Sequence, residues 1–140
     1  MNSDPNLPAA ATLPLDFPAL PKLGAVITGF VALFLIFDGV TKVIRVAPVV
    51  EACQKMGIGP DLIVGIGLLL LVCTGVYLNP KTAILGAILL TGYLGGAASL
   101  HVIQRSGVFP IAFALGFGVL VWVGLILREP RVLRWILLRQ

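Results

Sequence analysis

Asp38, Lys42 and Arg45 stand four and three positions apart at the end of a long apolar run. At 100° per residue this spacing puts all three on one face of a helix, within pairing distance. Ionisable groups inside a membrane-length segment are expensive, and each needs a partner or a function. His101, the single histidine, closes another apolar run, with Tyr93 two helical turns before it. An imidazole titrates near neutral pH, and a carboxylate can fix its tautomer. One reading is a functional polar pocket, with Asp38 and His101 as a proton-handling or ligand-binding pair and Tyr93 lying deeper. The other reading pairs Asp38 with Lys42 or Arg45 and leaves His101 among lipid headgroups.

Little else in the sequence points to chemistry. Cys53 and Cys73 lie far apart, without Cys-x-x-Cys spacing. Cys73 sits inside an apolar run and reads as a packing residue, while Cys53 falls in a polar stretch where a thiol is open to reaction. A zinc site needs a closed set of Cys and His ligands, so no metal is expected with one histidine. No Ser-His-Asp set, paired carboxylates or phosphate-binding loop can be picked out, and His101 has no nucleophile beside it.

The elements that must position these residues follow from composition. Of the 140 residues 59% are hydrophobic and only 11% charged, and the mean hydropathy is +1.06. That is too little charge to cover a soluble domain, so a lipid bilayer is the expected solvent and first partner. The expected fold is all-α: a polytopic bundle of four transmembrane helices over residues 22–127, with spans at about 23–46, 61–78, 82–103 and 108–127. Span one reads as one long helix ending near Pro48, followed by a surface loop from Val49 to Pro60. Asn79-Pro80-Lys81 and Arg105-Ser106-Gly107 are turns too short for anything but antiparallel hairpins. Runs such as Leu68-Leu69-Leu70-Leu71-Val72 do not alternate, which excludes a membrane barrel.

Rise per residue then locates the polar groups. Asp38 lies roughly 24 Å along its span and His101 roughly 30 Å along the parallel third span, so both approach the same end of the bundle. Four spans put both termini on one side. That side holds Lys22, Lys81, Arg128, Arg131, Arg134 and Arg139, against Lys42, Arg45, Lys55 and Arg105 on the other. The bias of 6 to 4 puts both termini in the cytoplasm. The net charge of +4 sits at the ends of apolar runs rather than in a patch, so nucleic acid is not an expected partner. Residues 1–21, rich in proline and without a basic start, read as a flexible arm rather than a signal peptide. Residues 128–140 read either as a short basic interfacial helix or as a frayed end.

Span three also carries Thr91-Gly92-Tyr93-Leu94-Gly95-Gly96-Ala97-Ala98-Ser99. Gly92 and Gly96, with Gly95 on a second small-residue stripe, are expected to pack against another helix in the bundle or in a homodimer. The stretch from Ala83 through Ala97 to His101 resembles the DoxX-like family. So do Phe37-Asp38-Gly39 with Lys42, the Tyr77–Thr82 hairpin, and Trp122 with Arg128-Glu129-Pro130-Arg131. The resemblance runs from about Leu23 to the C-terminus and implies a small four-helix protein of a bacterial plasma membrane. It further implies an accessory subunit of a quinone-linked redox system or of its assembly, with protein partners and with quinone as the cofactor to look for. On that reading the chain is at most a non-catalytic subunit of an oxidoreductase. Two other classes stay open: a binding or transport protein for a small molecule, and a chaperone or scaffold for another membrane protein. The chain departs from similar sequences in placing Leu100 before His101 and in setting Arg105 after Ile103 and Gln104, so no His–Arg anion site carries over.

Overall fold

A computed structural model describes residues 20–129 and Val132. Five helices make up this region: α1 (Leu20–Val43), α2 (Ala47–Lys55), α3 (Pro60–Leu78), α4 (Ala83–Ile103) and α5 (Val108–Arg128). The arm expected before Leu20 and the tail expected beyond Glu129, Val132 apart, lie outside the described residues. Four of the helices, of 24, 19, 21 and 21 residues, are long and apolar enough to cross a bilayer. At 1.5 Å per residue they extend about 28–36 Å, which matches a hydrocarbon core of about 30 Å.

These helices are apolar on their outer faces as well as their inner ones. Leu33 is 71% exposed, and Phe30, Leu68, Ile88 and Val119 also point outward. In water such a surface would aggregate, whereas in lipid it is the expected exterior. The centre holds Val31, Leu35, Leu70, Tyr77, Leu90, Val121 and Leu125. α1 packs against α3 and α5, and α4 packs against the same two, so the spans form a ring with α1 diagonal to α4.

Lipid is as apolar as leucine, so close packing rather than water exclusion holds such a ring together. Small residues mark where backbones meet. A Cβ at Gly24 would strike the backbone of Leu127 and Arg128, and one at Gly86 would strike the backbone of Tyr77. Gly39 and Gly67 bring α1 against α3, and Gly124 brings α5 against Thr28. Tyr77, fully buried, donates from its hydroxyl to the Val121 carbonyl at 2.9 Å and lies 3.3 Å from the Thr28 hydroxyl.

The connection after span one differs from the expected loop. α1 stops at Val43, and the chain turns through Arg45 in the left-handed region (φ 56°), with the Val46 N–H bonded to the Thr41 carbonyl at 3.0 Å. Pro48 does not end α1 but sits in the first turn of α2, where proline's fixed φ and missing N–H suit a helix start. The stretch read as a surface loop is therefore largely helical. Val49, Cys53 and Met56, spaced four and three apart, line its inner side, while Glu51, Gln54 and Lys55 are exposed. Nine residues with two charges are too short for periodicity to separate helix from loop.

Candidate functional site

The bundle is packed unevenly along its axis. At the end holding the α3–α4 turn, glycine contacts and the Tyr77 hydrogen bonds fill the centre. At the opposite end, beneath α2, the helices part around a cavity of about 700 Å³ that is partly open at its sides. Its walls come from every helix: Phe34, Asp38 and Lys42 of α1, Ile66 and Leu69 of α3, Tyr93, Ala97 and His101 of α4, and Phe109, Phe113 and Phe117 of α5, with Cys53 of α2 and Met56 just beyond its end as a roof.

The helical repeat explains the α4 wall. Tyr93, Ala97 and His101 are spaced four apart and project from one face in successive turns. On α1 the same spacing joins Asp38 to Lys42, whose ammonium bonds the carboxylate at 2.5 Å. The Lys42 side chain is 12% exposed and that of Asp38 34%. The Thr41 hydroxyl donates to the Asp38 carbonyl at 2.9 Å. The pair brings two opposite charges to the wall and no net charge.

Aromatic rings form one side. The Phe34 ring lies 4.5 Å from Phe117 and 5.5 Å from Phe113, and Phe113 and Phe117 are 4.9 Å apart. These are ordinary separations for tilted and edge-on aromatic pairs. His101 contributes an unmatched polar atom: its Nδ1 is buried and has no hydrogen-bond partner among the described residues. A buried polar atom left unpaired costs free energy, about 1–3 kcal/mol.

The structure thus brings Asp38, Lys42, Tyr93 and His101 to one cavity. Arg45 does not line it. The argument that placed Arg45 on the face of Asp38 required α1 to continue, and the helix ends two residues earlier. Cys53 is not an accessible loop thiol either: it is 3% exposed, and burial pushes its pKa up, against a smaller opposing effect from Lys42. A thiol held protonated in this way is a poor nucleophile. Gly92 and Gly96 line the cavity, and a Cβ on either would meet nothing within 4 Å. Gly95 is equally open and faces a second, outer groove between α4 and α5, where the Trp122 indole donates to the Thr91 hydroxyl at 2.9 Å. Close helix contact within the chain is made by other glycines.

Sequence reasoning passed over the roof and the aromatic side. Phe109, Phe113 and Phe117 repeat every four residues along α5, a visible signal that reads equally as ordinary core. Cys53 and Met56 carried no such signal.

A sequence model described as the DoxX-like family matches residues 26–124, which takes in all four spans except their outermost ends and the whole cavity. No curated protein and no solved structure matches the chain. The match covers more than half of the 140 residues, and with four bilayer-length helices the chain is a multi-pass membrane protein that belongs to the DoxX-like family.

Proposed function

We propose that this protein is an accessory membrane subunit of a quinone-linked redox system, and that its cavity binds a quinone-class molecule. The observation that carries the reading is the cavity itself. Its volume of about 700 Å³ falls within the range of about 300–1,000 Å³ typical of ligand sites. Its lining is apolar apart from a few converging polar groups, the composition expected where a ring must be both dissolved and oriented.

The residues fit such a ring chemically. A quinone carbonyl accepts hydrogen bonds, and His101, Tyr93 and Lys42 can each donate one. Phe34, Phe113 and Phe117 offer aromatic surface against which a flat ring packs. The quinone would supply electron transfer. The chain's own side chains bind and orient it, and the Asp38–Lys42 pair offers a site where a proton could be held. Because these residues bind and orient rather than complete a reaction, the partner is another redox protein, and the role is accessory. The 6 to 4 distribution of basic residues supports placing both termini in the cytoplasm of a bacterial cell. The α2 end of the cavity then faces outward.

Organic extraction and mass spectrometry of protein purified in a mild detergent test this reading. Near-stoichiometric quinone is expected, falling in His101→Ala. Background quinone alongside retained phospholipid would refute it. A second reading, a scaffold for another membrane protein, draws on the open small-residue surface at Thr91, Gly95 and Gly118. Photocrosslinkers placed at Gly95 should then capture protein, and capture of lipid alone would dismiss it.

A further inference from the structure

We infer that the cavity exchanges its ligand sideways with the lipid, through a slot between α3 and α4 edged by Gly92 and Gly96, so that the ligand class is a lipid-dissolved ring compound rather than a water-soluble one. The inference rests on the reading above only in that a ligand binds.

α3 and α4 are joined by a short turn at the packed end, where Gly86 lets the two backbones meet at Tyr77. Gly96 lies ~15 Å further along α4, and Leu69 ~12 Å back along α3, so the two are nearly level. At that level the α3–α4 seam is bordered by Ile66 and Leu69 on one side and by Tyr93, Gly96 and Leu100 on the other, all of which also line the cavity. Leu69 is 55% exposed on the outer surface, and a Cβ at Gly92 or Gly96 meets nothing within 4 Å. The cavity therefore continues to the lipid-facing side here.

The other ways in are narrower or lined by larger side chains. Gly39 sits against Leu71 and Gly67 and closes the α1–α3 seam. The Phe34, Phe113 and Phe117 rings stand in the α1–α5 seam, with Phe113 42% exposed, so passage there would displace packed aromatic rings. The α4–α5 seam carries the outer groove beside Trp122, separated from the cavity by Leu94 and Ala114, and the aqueous end is covered by α2 with Cys53 buried on its inner side.

Cys53 lines the cavity and Cys73 lies in the core outside it, so the native chain carries its own reporter and control. Protein in lipid nanodiscs, where both aqueous faces are open, is treated with N-cyclohexylmaleimide, which partitions into lipid, or with a trimethylammonium thiosulfonate, which stays in water. Modification is mapped by mass spectrometry. The apolar maleimide is expected to label Cys53 ahead of Cys73 and ahead of the charged reagent. Gly96→Leu and Gly92→Leu should slow that labelling several-fold while helicity by circular dichroism is unchanged. Should Gly96→Leu fail to assemble, Gly92→Leu and Leu69→Trp test the same slot. Labelling of Cys53 by the charged reagent at the rate of the apolar one would overturn the inference. So would wild-type rates in the folded leucine variants. Because the native Cys53 thiol is buried and weakly nucleophilic, Ala97→Cys on the cavity wall is labelled in parallel, and equal rates for the two reagents there would overturn the inference as well. The readout does not involve quinone, so a protein that purifies without quinone but shows the expected pattern keeps the slot and loses only the quinone assignment.

Discussion

The Asp38–Lys42 pair sets the chemical character of the cavity, because two charges in a mostly apolar wall are tolerable only together. Removing one partner leaves the other poorly solvated, whereas replacing both with apolar groups removes the difficulty. Asp38→Ala is therefore expected to destabilise the bundle by about 1–3 kcal/mol, the range for stranding a partly buried polar group. Asp38→Ala/Lys42→Met should recover most of that loss. Unfolding in bicelles read by steric trapping checks both, and a double variant no better than the single one would mean that the pair is a surface contact. Much of this level was legible before the fold was known. Rise per residue is fixed, so Asp38 and His101 had to reach the same end of the bundle wherever the helices packed. The unpaired state of His101 Nδ1 was not legible, because it depends on which neighbours fail to reach it. Arg45 was misplaced because the helix face was extended past the point where the helix stops.

At the scale of elements, two glycines of one helix carry opposite expectations. Gly86 lies against the Tyr77 backbone, where there is no flexible side-chain end to move aside, so Gly86→Ala must push α3 and α4 apart. Overpacking of this kind costs about 1–3 kcal/mol. Gly96 has no neighbour within 4 Å of a Cβ, and Gly96→Ala should stabilise α4 by up to about 1 kcal/mol through helix propensity alone. Equal effects of the two substitutions on thermal unfolding in detergent would contradict this placement of close contact. Sequence pattern could not tell them apart, since Gly-x-x-x-Gly spacing shows which residues are small and not which one a neighbour approaches. The end of α1 allows a further check. Arg45 occupies a left-handed conformation (φ 56°) that costs an L-residue about 1–2 kcal/mol and glycine almost nothing. Arg45→Gly should raise the unfolding midpoint by a few degrees, unless the guanidinium makes a compensating headgroup contact in native lipid. Comparing detergent with lipid nanodiscs separates the two terms.

The described residues form a bundle with one close-packed end and one hollow end, and the hollow end holds Asp38, Lys42 and His101. A four-helix membrane protein gains stability from dispersion contacts between helices, so a cavity of about 700 Å³ forgoes contacts that larger side chains would make. If the hollow is only loose packing, filling it should stabilise the protein and change nothing else. If it is a binding site, filling it should stabilise the protein and abolish binding, the usual exchange between stability and function. Ala97 is the position to use, because it stands on α4 midway between Tyr93 and His101 and lines the cavity. Ala97→Leu adds three carbons there while keeping the charged pair and the imidazole in the chain, although the new side chain lies one turn from His101. The expected gain is about 1 kcal/mol for the space filled. Quinone retained through purification should fall to background at the same time. A stabilised Ala97→Leu protein that still purifies with quinone would show that the ring binds elsewhere, with the outer groove beside Trp122 as the next place to search. A destabilised variant would mean that the cavity walls cannot accept the added volume, and Ala114→Val, on the facing helix, would then make the same test with a smaller addition.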